Sequence, residues 1–503
     1  MLLLPFVGCA PLVAAPRFAS VFTDGAVLQH GVRVPVWGVA EPGERVTVTF
    51  GAALASATAG ADGRWRVDLP PQEASSVGRA LSVASASGDA CAATVSDVLV
   101  GEVWIVCGQS NASLPLWGGN PRYRDREGAL VAALTDRPTV RYAVSNDPWT
   151  LEPQAESRQA IVWKRFSQTN LGDARGGSCC AYAVTFACAL QDALKVPVGL
   201  VCAYSGSTPI ETWIPREGFA AHDDLRDYLD LPRIPPEKWT DRARNDTFMR
   251  HGGFQQPSVM WNARLAPWCP YAAKGVLFYQ GCSNSWNAER YLSLQHALYD
   301  SWSEKFENGD LRFRYVQVVP WPFRQNCTLG VSLAQAQFAH EQTNAAMVVV
   351  SDIGNNWDAH PADKGPVGRR LAALALARDY GFDIAADAPE ARAARAGADG
   401  RVVVELAHAK ELYVYNDDGT VDSPFELAGA DGRWHRAGIQ NVDKQGRLDG
   451  ARLVLKAADV PAPQEVRYLQ CAPWRSNVFN EMSLPLGVFT AIVRHEASET
   501  SRN

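Results

Sequence analysis

Val103-Trp104-Ile105-Val106-Cys107 runs without a polar residue straight into Gly108-Gln109-Ser110-Asn111. A half-buried strand alternates apolar and polar residues, whereas a strand buried on both faces has no reason to. The stretch therefore reads as an inner strand of a parallel sheet, its carboxyl end opening into a turn that carries a hydroxyl. Four further runs of the same kind follow, at Val198–Ala203, Gly275–Tyr279, Arg314–Val319 and Met347–Ser351. Helical spacing appears over 178–194, 288–306, 332–342 and 364–380. Buried strands interleaved with helices predict an α/β fold with a parallel sheet and helices on both faces, and active groups at the carboxyl ends of the strands.

The pattern changes on either side of this region. From Arg17 to about Val100, short alternating runs such as Arg45-Val-Thr-Val-Thr-Phe are separated by turn clusters such as Gly60-Ala-Asp-Gly, which predicts a small antiparallel sandwich. Alternation returns after about Ala394, in Arg401-Val-Val-Val-Glu-Leu and Ala451-Arg-Leu-Val-Leu, and predicts a second sandwich-like domain. The expected organisation is a leader over 1–15, a β domain over 16–100, a catalytic α/β domain over 101–393 and a C-terminal β domain over 394–498. A Pro-, Asp- and Arg-rich stretch at about 215–253 is expected to be an irregular insertion. Several domains suit a chain of 503 residues, which exceeds what one hydrophobic core usually organises.

A net charge of −6 and no long Lys/Arg block give no attraction for nucleic acid or an anionic membrane surface, so no nucleic-acid partner is expected. No apolar run approaches the roughly 20 residues of a membrane-spanning helix. The 11 Cys form no Cys-x-x-Cys pair and no Cys/His cluster at metal spacing, so neither a metal nor another cofactor is expected. Residues 2–15 are apolar and end in small residues without a basic segment before them; read as a short leader, they imply export to the periplasm or the exterior.

A serine hydroxyl is a weak nucleophile unless an imidazole takes its proton, and the imidazole works best when a carboxylate fixes its tautomer. Ser110 sits where a strand-to-helix turn exposes a hydroxyl. Far downstream, Asp358 and His360 are two residues apart, so in an extended loop both side chains project to one side, and Pro361 biases His360 toward that extended backbone. Two more strands end in small polar words, Tyr204-Ser-Gly-Ser-Thr-Pro and Tyr279-Gln-Gly-Cys-Ser-Asn. A glycine N–H and an asparagine amide at such strand ends can aim donors at the oxygen of a tetrahedral intermediate. Singly, each word is an ordinary turn.

Together they resemble the sialate O-acetylesterases, within the broader SGNH-type hydrolases and carbohydrate acetylesterases. The resemblance is carried by Gly101-Glu-Val-Trp-Ile-Val-Cys-Gly-Gln-Ser-Asn, Gly206-Ser-Thr-Pro-Ile-Glu-Thr-Trp, Gly275-Val-Leu-Phe-Tyr-Gln-Gly-Cys-Ser-Asn, Tyr315-Val-Gln-Val-Val-Pro-Trp and Asp358-Ala-His-Pro-Ala-Asp-Lys, in order over nearly the whole chain. It implies an SGNH-like three-layer catalytic domain and a serine esterase. Ser110 would be the nucleophile, His360 the general base and then acid, and Asp358 the orienting carboxylate. The Ser110 N–H, the Gly206 N–H and the Asn284 side chain would form the oxyanion hole.

The implied substrate is an O-acetylated sugar, foremost 9-O-acetylated sialic acid. An acetylxylan or other polysaccharide acetylesterase is the alternative within enzymes, and a non-catalytic carbohydrate-binding protein on a degenerate esterase scaffold the alternative outside them. Three positions depart from the family pattern. Cys282 replaces the usual Glu, Ser207 a usual Gly, and Ala112 a frequent Met.

Overall fold

The computed structural model describes residues 15–85, 91–114, 136–167, 179–233, 235, 253–319, 322–323, 326–353, 359–361, 363–415, 424–470 and 475–495. Its centre is a sheet built from β1 (Cys91–Gly108), β2 (Arg137–Val144), β3 (Lys164–Phe166), β4 (Val198–Tyr204), β5 (Gly275–Tyr279), β6 (Arg312–Val316) and β7 (Ala345–Val348). The spatial order is β3-β2-β4-β1-β5-β6-β7, parallel throughout except for the antiparallel β3–β2 pair. Helices α1 (Ala181–Leu194) and α4 (Gly365–Asp379) cover one face, α2 (Tyr291–Lys305) and α3 (Leu329–Glu341) the other. Val103, Ile105 and Cys107 enter one core, Trp104 and Val106 the other, which is why the strand shows no alternation.

The N-terminal β segment is continuous with this sheet. Strand β1 starts at Cys91, crosses the expected boundary at residue 100 and ends at Gly108. Its first half pairs with Ser75–Ser85 and Val27–Gln29, and its second half with β4 and β5. A second small sheet is formed by Arg17–Phe18, Val34–Val39 and Arg64–Leu69, and its Phe18, Val36 and Trp65 share a core with Val48, Phe50 and Leu81 of the larger sheet. Phe50, Trp65 and Leu81 of this segment share a core with Trp302 and Phe278 of the α/β region.

The C-terminal region corrects the sandwich-like expectation. Seven of its strands close into a barrel, because Glu390–Ala396 pairs antiparallel with Val402–Ala407 on one edge and parallel with Phe489–His495 on the other. Alternation alone marks a one-sided strand and does not say whether its sheet closes. Part of the stretch read as an irregular insertion is helical, at Arg216–Ala221 and Asp223–Asp230, and residues 236–252 lie outside the described residues. No helix among the described residues is long and apolar enough to cross a membrane.

Strands β4, β1 and β5 end level with one another, since Gly108 is in register with Tyr204 on one side and Tyr279 on the other. The three following loops therefore leave the sheet side by side. At Gly108 the chain turns with φ +140°, and a Cβ there would lie 2.2 Å from the Tyr279 carbonyl oxygen. Gly43 also has positive φ, +80°, but nothing stands within 4 Å of its Cβ position. Gly108→Ala is expected to cost about 3 kcal/mol or more, strain and clash together, against about 1 kcal/mol for Gly43→Ala. Urea-unfolding midpoints check this, and equal shifts for the two variants would show that the turn relaxes freely.

Candidate active site

Ser110 opens a short helical turn, Ser110–Ser113, directly after β1. Its Oγ lies 2.8 Å from Nε2 of His360, which comes from the loop before α4, so two groups 250 residues apart meet at the rim of the sheet. Both are half-buried, close enough to solvent for a substrate to reach. When the ring proton is on Nδ1, the hydroxyl donates to Nε2, the arrangement a general base requires. Asp358, expected to hold that tautomer, lies outside the described residues.

The histidine loop is held to the serine turn from below. Asn111, 1% exposed, donates from Nδ2 to the Ala359 carbonyl at 3.0 Å and accepts from Lys364 Nζ at 2.6 Å. Lys364, just ahead of α4, is itself buried, with its ammonium 4.9 Å from the centre of the Tyr279 ring. On the other side of Ser110, the buried Gln109 accepts through Oε1 from the backbone N–H groups of Gly281 and Ser283, at 3.2 and 3.1 Å. The nucleophile turn is thus fixed by the side chains that flank Ser110 on either side. Gln109 and Lys364 lie in the words read from the sequence, yet their bracing roles could not be read there, because their partners are remote from them in the chain.

Gly206 leads the loop after β4, and a Cβ there would lie 3.8 Å from the Ser110 Cβ. No acceptor among the described residues takes the backbone N–H of Ser110 or of Gly206. Ser207 beside it has φ +59°, a left-handed conformation that favours glycine, which accounts for the family's usual second Gly.

Asn284 requires a correction. It is fully buried, and Nδ2 donates to Glu211 Oε2 at 2.8 Å and to Asn287 Oδ1 at 3.1 Å, which uses both its hydrogens. Turning the amide over is blocked, because Oδ1 accepts from the Ile210 N–H at 2.9 Å and from Gln280 Nε2 at 2.8 Å. In this structure Asn284 braces the site and has no hydrogen left for an oxyanion.

Cys282 lies beside Asn111 and Lys364. Burial of its sulfur, in a residue that is half-buried overall, pushes the thiol up to about 11, against the opposing pull of the Lys364 ammonium and the Asn111 amide. It is therefore no nucleophile at neutral pH. Cys179 and Cys202, with their sulfurs 3.9 Å apart, are likewise free thiols.

No family model matches the chain. Curated relatives are the sialate O-acetylesterases of Homo sapiens, 28% identical over 398 residues, and of Mus musculus, 26% identical over 402 residues. These alignments cover 73% of this chain and 71% and 74% of the relatives. Among solved structures, a carbohydrate acetylesterase from Xanthomonas citri superposes with a TM-score of 0.78 at 28% identity, over 95% of this chain and 99% of its own. The resemblance read from the sequence is thus found again in curated relatives and in a solved fold, and these comparisons support an esterase.

Proposed function

We propose that the protein is a serine esterase of SGNH type, with a three-layer catalytic domain, that removes O-acetyl groups from carbohydrate. The 2.8 Å contact between Ser110 and His360 carries this reading, because an activated hydroxyl at the carboxyl edge of a parallel sheet is what acyl transfer needs. Ser110 Oγ attacks the acetyl carbonyl as His360 Nε2 takes its proton, with Asp358 holding the ring. The negative oxygen of the tetrahedral intermediate is received by the Ser110 and Gly206 N–H groups. The intermediate collapses to acetyl-Ser110, and the sugar hydroxyl leaves with the proton from His360. Water, deprotonated by the same ring, then releases acetate.

The proposed substrate is 9-O-acetylated sialic acid; the curated relatives' name, sialate O-acetylesterase, supports an O-acetylated sialate without giving the position. A sugar of this kind also fits the exported location expected from residues 1–15. The test is acetate release from 9-O-acetylated sialic acid and from acetylated xylan. Release from the first and not the second supports this substrate, and the reverse result assigns the protein to polysaccharide. No release from either sugar, together with no labelling of Ser110 by a fluorophosphonate, would leave only a carbohydrate-binding role on an esterase scaffold.

A further inference from the structure

Glu211 stands fully buried on the short helix Ile210–Trp213, behind the loop that carries Gly206. Its carboxylate accepts from Asn284 Nδ2 at 2.8 Å, from Asn287 Nδ2 at 2.7 Å and from the Tyr228 hydroxyl at 3.0 Å. The three donors are at most 3% exposed. A buried carboxylate is costly unless every lone pair is met, and two neutral amides could have clamped these loops without it. What a carboxylate adds is direction. It only accepts, so it forces both asparagines to turn their N–H groups toward it.

The consequence reaches the reacting serine. With Nδ2 of Asn284 committed to Glu211, Oδ1 is turned toward the Ile210 N–H and Gln280 Nε2, and the latter also donates to the Thr208 carbonyl at 3.1 Å. These bonds tie residues 208–210 to the segment after β5. The Gly206 loop is thereby held against Ser110 from behind. We propose that Glu211 is a positioning residue of the esterase: by fixing the orientation of the Asn284 and Asn287 amides it sets the Gly206 loop at the distance from Ser110 that the transition state requires. This rests on the esterase reading above.

Glu211→Gln preserves shape but brings an NH2 group against donors that needed an acceptor. Acetate release should then show a kcat lower by roughly tenfold to a hundredfold, with KM within about threefold, because substrate binding is untouched and transition-state alignment is not. The double variant Glu211→Gln/Asn287→Asp moves the carboxylate to the other side of the same hydrogen bonds. The new amide at position 211 can then donate to the carboxylate at position 287, and Asn284 still meets an oxygen on each partner. The kcat of the double variant should return to within about threefold of wild type, a rescue that general loosening of the fold would not give. Amide hydrogen exchange over 205–213 and 280–287 should rise in the single variant and fall back in the double.

A Glu211→Gln enzyme at wild-type kcat overturns the proposal, as does a double variant whose exchange recovers while its kcat does not. If Glu211→Gln does not fold, Tyr228→Phe removes one donor with no change in charge, and there too an unchanged kcat would overturn it. Acetate release lost in Ser110→Ala but intact in Glu211→Gln sinks this inference alone. Release that survives Ser110→Ala sinks the esterase reading instead, and hydrogen exchange then still decides whether Glu211 holds the two loops.

Discussion

Ser110→Ala is expected to lower acetate release from an O-acetylated sugar by about 10⁴- to 10⁶-fold while the melting temperature stays within about 2 °C of wild type. The two halves of this expectation have separate causes. On the proposed mechanism, removing the hydroxyl removes the atom that bonds the acetyl carbon, leaving just the N–H donors and substrate binding to accelerate reaction with water. Stability is spared because the side chain is half-buried and its bond is to the ring of a rim loop, whereas the loop itself is held by Asn111. The Cys282 thiol, beside Asn111 and Lys364, is pushed up to about 11 by burial and so stays protonated at pH 7, unable to stand in for the serine. A loss smaller than about tenfold, measured by a coupled acetate assay, would place the nucleophile elsewhere.

What could be read from the sequence follows from what each residue answers to. Gly275–Tyr279 is buried on both faces by its immediate neighbours in space, so its composition announces it, and the observed strand has the expected ends. Arg137–Val144 is an inner strand too, yet two arginines and a proline hid it. Arg141, 3% exposed, is tolerated because its guanidinium donates to the Gly25 and Asp97 carbonyls and pairs with the Asp97 carboxylate at 2.9 Å, all from the N-terminal segment. A charge satisfied by a distant part of the chain looks like a surface charge when read locally. The same holds at the site. Ser110 and Gly206 were legible because they follow strands, and His360 because a proline and a carboxylate flank it. Asn284 was legible as an amide at a strand end, but the direction in which it donates is set by Glu211, which belongs to another loop.

His360→Ala should be almost as damaging as loss of the serine, about 10³- to 10⁶-fold in kcat, and the double variant Ser110→Ala/His360→Ala should be no worse than the poorer single one. The reason is that the ring's first step runs through the hydroxyl 2.8 Å away: without a proton acceptor the hydroxyl is a poor nucleophile, and without the hydroxyl no acetyl-serine forms for the ring's later proton transfers to act on. Independent contributions would multiply, giving a double variant far below either single. The loop should survive the substitution, because Asn111 holds the Ala359 carbonyl at 3.0 Å and Lys364 holds Asn111, and neither bond uses the imidazole. A cavity the size of the ring then remains beside Ser110, and imidazole added to the buffer should restore part of the activity in proportion to its concentration. Fluorophosphonate labelling of Ser110 should slow in parallel with acetate release. Labelling at the wild-type rate in His360→Ala would mean that another base activates the serine, and would leave the histidine only its leaving-group and water steps.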